Sequence, residues 1–106
     1  MVTFDDVDFV NNRMKDNPQL AEVIAESIRA LDYAQTKHPD FPRDLVGKMS
    51  IMNEETGEAT QLANSIQLDQ KGDVNDFVHE VTQAICVGIR IRLSMPEFKD
   101  YKYDKQ

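Results

Sequence analysis

Glutamates on two consecutive predicted helices are the residues of this sequence best suited to chemistry. Residues 54–58 read EETGE, within the stretch SIMNEETGEATQLANSI, and Glu80 follows in VHEVTQ. Glu55 and Glu58 are three residues apart, so they are surface neighbours on a helix. Carboxylate oxygens without accompanying histidines favour Mg²⁺ or Mn²⁺ over zinc. The pattern predicts a divalent cation site, and a Mg²⁺ held by few carboxylates keeps positions open for phosphate oxygens.

Helical geometry places these carboxylates beside packing surfaces. At 100° per residue, Glu55 lies roughly 40° from the centre of the apolar stripe of the third predicted helix, Glu58 lies on its shoulder and Glu54 points away. Glu80 borders the stripe of the fourth helix, with Gln83 one turn further on. A short connection favours antiparallel packing, which would bring all but Glu54 into one cleft. The stripes comprise Leu45, Met52, Ala59, Ala63 and Ile66 on the third helix and Phe77, Val81, Ala84, Gly88 and Ile91 on the fourth.

Charge repulsion between the carboxylates in such a cleft favours a bound cation. Two carboxylates about 5 Å apart repel by roughly 3 kcal/mol at an effective dielectric near 20. The summed repulsion of three such pairs is comparable to the whole free energy of unfolding of a small domain. A divalent cation relieves this repulsion at neutral pH more directly than protonation does. The alternative interpretation is a solvated helix edge whose carboxylates form exposed salt bridges.

Composition restricts the class of protein. The chain has 106 residues, 41% of them hydrophobic, and its single cysteine, Cys86, excludes an internal disulfide and a cysteine-based zinc cluster. A net charge of −7 argues against nucleic acid as the main partner, because neutralising phosphates requires a basic face. No apolar run approaches the roughly 20 residues that span a bilayer, and no signal pattern opens the chain. We therefore expect a cytoplasmic protein with no membrane partner.

Four helical segments with short connections account for the sequence. We expect residues 1–95 to form a single all-α domain, four-helix bundle-like, followed by a charged tail at 96–106. The second helix carries an apolar stripe at steps of three and four, made of Leu20, Val23, Ile24, Ile28 and Leu31. The first helix is predicted to open with Thr3 and Asp6 as a capping pair, and the second with Asn17 as N-cap and Pro18 at the first helical position. The third helix is predicted to start at about Pro42, and the fourth is predicted to be capped by Asp73. The third and fourth helices are expected to end near Gln67 and Ser94.

The stretches EETGEATQLANSI and DFVHEVTQAICVGIRIRL resemble the EExxE and ExxD motifs of the MazG-like superfamily of all-α nucleoside triphosphate pyrophosphohydrolases. The resemblance runs from Asp44 to Leu93. It implies a MazG-like fold that assembles as a homodimer or homotetramer. It also implies Mg²⁺-dependent cleavage of an NTP or dNTP into the monophosphate and pyrophosphate, in a housecleaning role. By the same resemblance, Glu55, Glu58 and Glu80 would bind the metal and Glu54 would support a metal-bound water.

Gln83 departs from the family pattern, which has aspartate at this position. Glutamine offers one carbonyl oxygen to a cation but removes a full negative charge, which predicts weaker metal binding or fewer metal ions. A branch of phage-like and bacterial relatives resembles this chain in having glutamine there, with an arginine one or two turns later. Two other functions stay open: a non-catalytic module that senses nucleotides or binds proteins, and a structural helical assembly protein.

Two cations have a functional and a structural interpretation. Lys48 either binds a substrate phosphate or pairs with Glu55, which lies two turns later on nearly the same face. Arg90 either binds a phosphate or forms an ion pair with the acidic edge. We expect the base of the nucleotide in an apolar pocket built from the first two helices or from a neighbouring subunit. Self-association would then complete both the core and the pocket.

Three other polar side chains are expected to take no part in the site. His38 lies in a proline-flanked loop and His79 on a helix flank, so both are expected at the surface. Cys86 points away from the apolar stripe of the fourth helix and has no catalytic base beside it, so it is assigned no chemistry.

Overall fold

The computed structural model describes residues 4–95, which are all-α with four helices and no strand. This confirms the prediction of an all-α fold with four helices. The predicted cap at Thr3 and the predicted tail at 96–106 lie outside the described residues. Across residues 4–95, no helix combines the length and the apolar character needed to cross a membrane. The helices are α1 (Phe4–Asp16), α2 (Pro18–Lys37), α3 (Leu45–Leu68) and α4 (Val74–Ser94).

Side-chain caps determine where three of the helices begin. The Asn17 side chain accepts a hydrogen bond from the Leu20 N–H at 3.1 Å, and Pro18 is the first residue of α2. The Asp73 carboxylate accepts from the Asn75 N–H at 2.8 Å and so caps α4. Each cap satisfies a backbone donor that has no partner inside the helix. Both starts were predicted correctly.

The predicted start of α3 near Pro42 was wrong by three residues. Asp44 is the N-cap, and its carboxylate accepts from the Gly47 N–H at 2.9 Å. The pattern of a proline at the first helical position applies to Pro18 but not to Pro42, because the aspartate two residues later provides the stronger cap. Gly47 is required for this cap, since a Cβ there would lie 2.6 Å from the Asp44 carboxylate.

α4 is the central helix of the fold. It packs against α3 on one side and α2 on another, while α1 packs against α2. The α3–α4 hairpin is antiparallel, since Met52 near the start of α3 approaches Gly88 near the end of α4. A tight reversal joins them: Gln70 adopts φ 55°, Gly72 adopts φ 104°, and the Lys71 N–H closes the end of α3 on the Ser65 carbonyl.

The core inside one chain is small, in keeping with the expectation that a single chain does not complete it. Of the described hydrophobic residues, Leu31, Cys86 and Val87 are the buried ones. Most of the predicted stripe of α2 remains open, with Leu20, Val23 and Ile28 exposed. Four helices in this open arrangement do not enclose a continuous core, because α2 and α3 both lean on α4 without closing on each other.

Candidate metal centre and adjoining cavity

The predicted carboxylates meet between α3 and α4. One oxygen each from Glu55, Glu58 and Glu80 can be chosen so that all three lie within 4.8 Å of one another. Glu55 and Glu58 are adjacent on α3, and the antiparallel hairpin brings Glu80 of α4 opposite them. Glu55 and Glu80 are half-buried, whereas Glu58 is exposed. The convergence that the sequence predicted for these three residues is therefore present.

The proximity of the three carboxylates changes their proton affinity. Burial, followed by the negative charges of Glu58 and Glu80, raises the pKa of Glu55 above 4.5. A hydrogen bond with Glu80, followed by partial desolvation and the charge of Glu80, raises the pKa of Glu58 above 4.5. Burial, hydrogen bonding to Glu80 and repulsion between the carboxylates thus act in the same direction, because each disfavours the ionised form. The cluster therefore favours bound protons or a bound cation.

The residues fit a hard divalent cation. Three carboxylates supply oxygen ligands only, which suits Mg²⁺ or Mn²⁺ and not zinc. Three ligands leave the remaining positions of an octahedral ion to water or phosphate oxygens. Glu58 is exposed and Glu55 and Glu80 are half-buried, so solvent screens part of the repulsion between the three carboxylates.

Glu54 and Gln83 occupy secondary positions around the three carboxylates. Glu54 is exposed, and its charge contributes to raising the pKa of both Glu55 and Glu58. Its carboxylate is not part of the group within 4.8 Å. Gln83 is half-buried and lies in the wall of a neighbouring cavity. Glu55 lies in the same wall, so the cavity and the acidic cluster share a boundary.

The cavity has a volume of about 880 Å³ and lies chiefly between α2 and α4. This volume falls in the usual range for small-molecule sites. Its aromatic walls are Tyr33 and Phe41, and Cys86 and Val87 form part of its floor. The sequence-based expectation placed the base pocket on the first two helices or on a neighbouring subunit; the lining of this cavity includes α2 but no residue of α1. The polar lining residues are Glu26, Arg29, His38, Glu55, Asn75, His79, Thr82, Gln83 and Arg90.

Arg90 holds the connection between α2 and α3 against α4. Its guanidinium donates a hydrogen bond to the His38 carbonyl and lies 4.7 Å from the centre of the Phe41 ring. A cation over an aromatic face is attracted by the ring quadrupole. Within residues 4–95 Arg90 forms no ion pair with the acidic cluster, so its structural role differs from the predicted one. It also lines the cavity.

Lys48 also contacts the connection between α2 and α3. The side chain is 4% exposed, and its ammonium donates to the Arg43 carbonyl at 2.8 Å. In the described part of the chain it forms no ion pair with Glu55, the structural alternative suggested by the sequence. It lines a separate cavity of about 370 Å³ with Phe41, Pro42 and Leu45. The two cations therefore fix opposite ends of the segment 38–44.

Sequence reasoning missed the second packing side of α4. Cys86 is 1% exposed, and burial raises the pKa of its thiol above 9.0, with the charge of Arg90 acting in the opposite direction. A single apolar stripe was assigned to α4, yet the helix packs against both α2 and α3. His38 and His79 are exposed, as expected, but both lie at the cavity. The signal for this side was the run from Cys86 to Ile89, in which apolar residues cover more than one face.

Comparison with known proteins finds no match among family models, curated proteins or solved structures. The likeness to MazG-like pyrophosphohydrolases, which the two motifs carry, therefore stays a prediction.

Proposed function

We propose that this protein is a Mg²⁺-dependent nucleoside triphosphate pyrophosphohydrolase, which releases pyrophosphate and leaves the nucleoside monophosphate. The observation that supports the proposal most directly is the position of Glu55. It belongs to the group of three carboxylates within 4.8 Å and also lines the 880 Å³ cavity. A triphosphate bound through a cation at the cluster would then have space for its nucleoside in the same depression.

The three carboxylates divide the work of binding and proton transfer. Glu55, Glu58 and Glu80 would hold the ion, and Mg²⁺ bound there supplies charge neutralisation to the phosphates and a lowered pKa to attacking water. Glu55 lies at the boundary between the cluster and the cavity, which places it to accept the proton of that water. Glu54 adds negative charge beside the cluster and orients water from the exposed side of α3.

The cavity suits the nucleoside part of the substrate. Phe41 and Tyr33 offer aromatic faces for a base, since aromatic rings stack favourably in offset arrangements. Asn75, His79 and Gln83 supply hydrogen-bonding groups in the lining. In this position Gln83 serves the substrate more directly than the metal, because its amide can both donate and accept.

The proposal is tested by incubating the purified protein with Mg²⁺ and a panel of common and modified nucleoside triphosphates, with pyrophosphate release as the readout. Glu58→Gln should abolish release, because it removes one charged ligand while preserving the shape of the side chain. Glu22→Gln is the matched control, since Glu22 is exposed on α2 and outside both the cluster and the cavity lining. Equal activity in Glu58→Gln and in the unmodified protein would overturn the proposal.

The neutral side chain of Gln83 favours one alternative function, a non-catalytic nucleotide sensor. With three carboxylates and an amide, the cluster has one negative charge fewer than a site with the family aspartate. A sensor would be stabilised against heat by nucleotide and Mg²⁺ together without releasing pyrophosphate. Gln83→Asp separates the two functions, because activity that appears only in this variant shows that the natural protein is degenerate as an enzyme.

A further inference from the structure

Among the described residues, Lys48 is the one charged residue that is buried. It is 4% exposed, although lysine is almost never fully buried unless its charge is paired. Its ammonium donates a hydrogen bond to the Arg43 carbonyl at 2.8 Å, and within residues 4–95 it forms no ion pair. An ammonium carries three N–H donors, so two of them have no partner in this part of the chain.

A buried ammonium without a counter-charge is energetically unfavourable. Removing it from water carries a desolvation penalty, and one carbonyl dipole offsets only part of that penalty. An uncharged side chain of similar volume would fill the same space without the penalty, since such replacements of buried charges are often neutral or stabilising. Packing alone therefore does not account for a lysine at this position, whereas an anion bound to its ammonium does.

The Lys48 side chain lines a cavity of about 370 Å³ between the segment 38–44, the start of α3 and the end of α4. Two cationic residues, Arg43 and Lys48, belong to the lining, and among the described residues it contains no acidic one. This charge is the reverse of the composition of the chain, which has 19 acidic residues and 12 basic ones. No carboxylate of the lining competes with a bound anion, and the volume lies in the usual range for small-molecule sites.

The apolar part of the lining determines which kind of anion fits. Phe41, Pro42, Leu45 and Met95 form apolar walls, and Leu45 is 64% exposed. Inorganic phosphate would leave these walls in contact with water. An anion that also carries a ring or a short hydrocarbon chain would bury apolar surface against them, which adds to its affinity. The lining therefore favours an organic anion over an inorganic one.

We propose that this cavity is a second ligand site, which binds a small organic anion. Its phosphate or carboxylate group pairs with the Lys48 ammonium, and its apolar part packs against Phe41 and Leu45. Lysine binds such groups as a point charge. The site is separate from that of the proposed triphosphate, because Glu55 lines the 880 Å³ cavity but not this one and lies about 10 Å from Lys48 along α3. The inference does not depend on the proposed enzymatic activity.

The test is a titration of the ¹⁵N-labelled protein, freed of metal on a chelating resin, followed by backbone amide NMR. The separate ligands are phenyl phosphate, phenylacetate, inorganic phosphate and benzyl alcohol. Saturable binding is expected for at least one of the two organic anions, and the tighter one identifies the preferred charged group. Inorganic phosphate has the charge without the ring, and benzyl alcohol has the ring without the charge. Each should bind at least about tenfold more weakly, because each lacks one of the two contacts.

Lys48→Met removes the ammonium and retains an unbranched side chain. It should weaken binding of the organic anion by at least about tenfold, since a hydrogen bond to a charged group contributes that much or more. Arg29→Met is the matched control. The Arg29 side chain is exposed, and it lines the 880 Å³ cavity but not the smaller one. Its loss should change the affinity by no more than about twofold, because the two sites are independent.

The position of the shifted signals needs no variant, so the titration remains decisive if Lys48→Met does not fold. The amide signals of Lys48 and Met95, which line the small cavity, should shift most. Those of Asn75 and His79, which line the 880 Å³ cavity, should shift little. The reverse order would mean that the anion binds in the larger cavity, and the inference would then be wrong.

Three further outcomes would overturn the inference. They are the absence of saturable binding by both organic anions, equal affinity for benzyl alcohol or inorganic phosphate, and equal losses in Lys48→Met and Arg29→Met. Because these measurements contain no nucleotide and no Mg²⁺, their failure would leave the proposed hydrolysis untouched, and the reverse also holds.

Discussion

The two sides of the α3–α4 hairpin differ sharply in charge. On the acidic side, Glu55, Glu58 and Glu80 bring carboxylate oxygens within 4.8 Å of one another. On another side of the hairpin, which we call the uncharged face, Thr60 and Val81 line a groove that is free of charged residues. Around the axis of α3, Thr56, which also lines this groove, lies roughly 130° from the midpoint between Glu55 and Glu58. One hairpin thus carries crowded like charges on one side and exposed apolar groups on the other.

Both sides are unfavourable for a single chain alone, but for different physical reasons. Carboxylates close together repel and bind protons more tightly, and a cation relieves this. Exposed apolar surface orders or excludes water, and a second apolar surface relieves that. Because the two remedies are chemically unrelated, changes on one side should leave the other side's property intact.

Replacing Glu80 should have the largest effect on metal binding. Glu80→Gln removes the carboxylate that α4 contributes to the cluster, and the affinity for Mn²⁺ should fall by at least about 100-fold, the upper end of the effect of losing a supporting residue of a metal site. Isothermal titration calorimetry provides the measurement. Glu54→Gln is the comparison, because Glu54 lies outside the group of three, and it should lower the affinity by about tenfold or less. Equal losses in the two variants would contradict the assignment of ligands.

Removing Arg90 should destabilise the fold by about 2 kcal/mol. Arg90→Met loses the charged hydrogen bond to the His38 carbonyl and the contact with the Phe41 ring. Urea unfolding followed by circular dichroism measures the change. Arg43→Met is the control. The Arg43 side chain is exposed, so this substitution should change the free energy of unfolding by no more than about 0.5 kcal/mol. If the two variants lost equal stability, the role of Arg90 in holding the segment 38–44 would be wrong.

Gly57 marks a part of α3 that belongs to neither side. A Cβ at Gly57 would have no neighbour within 4 Å, so Gly57→Ala should raise the free energy of unfolding by about 1 kcal/mol through helix propensity alone. Gly88→Ala should raise the free energy of unfolding by less, because its Cβ would lie 3.2 Å from the end of the Met52 side chain. Chemical denaturation gives both values. A weaker assembly or weaker metal binding in Gly57→Ala would show that one of the two surfaces extends to this position.

Local features of this fold were predictable from the sequence. Asn17 and Asp73 cap their helices because short polar side chains before an apolar-periodic segment satisfy free backbone donors. The meeting of Glu55, Glu58 and Glu80 was also predictable, since helical spacing and one antiparallel connection determine it. In each case the relevant residues are close in sequence or related by a single turn.

Features that depend on three or more elements were not predictable in the same way. The helical positions of Lys48 and Arg90 place these two cations near the predicted acidic cluster, yet both donate hydrogen bonds to carbonyls of the segment 38–44. A loop conformation decides this, and periodicity carries no information on loops. Cys86 points away from the predicted apolar stripe of α4, yet it is buried because α4 packs against both α2 and α3. The predicted stripes of α3 and α4 are half-buried apart from the exposed Leu45, and the buried residues of α4, Cys86 and Val87, are not part of its predicted stripe.

The smallest predicted effect is a pH dependence of stability that arises on the acidic side. The pKa values of Glu55 and Glu58 are raised above 4.5 in the folded chain. Between pH 4.5 and the raised values, the folded chain therefore binds more protons than the unfolded chain, and its stability falls as the pH rises. Below pH 4.5 both states are protonated, so the contribution is fully present there. For Glu55 the loss should stay under about 1 kcal/mol, because solvent screens a carboxylate that is only partly buried.

This pH effect is isolated by comparing the metal-free protein with the double variant Glu55→Gln, Glu58→Gln. The difference in free energy of unfolding between the two should shift in favour of the variant as the pH rises from 4.5 towards 7. Added Mg²⁺ should reverse the trend, because the ionised carboxylates then bind the cation and stabilise the folded state. Thr60→Gln, a change without charge on the uncharged face, should leave the slope with pH unaltered. A difference that does not vary with pH would mean that the carboxylates are too well solvated to interact, and the acidic side would then lose its physical distinction from an ordinary charged surface.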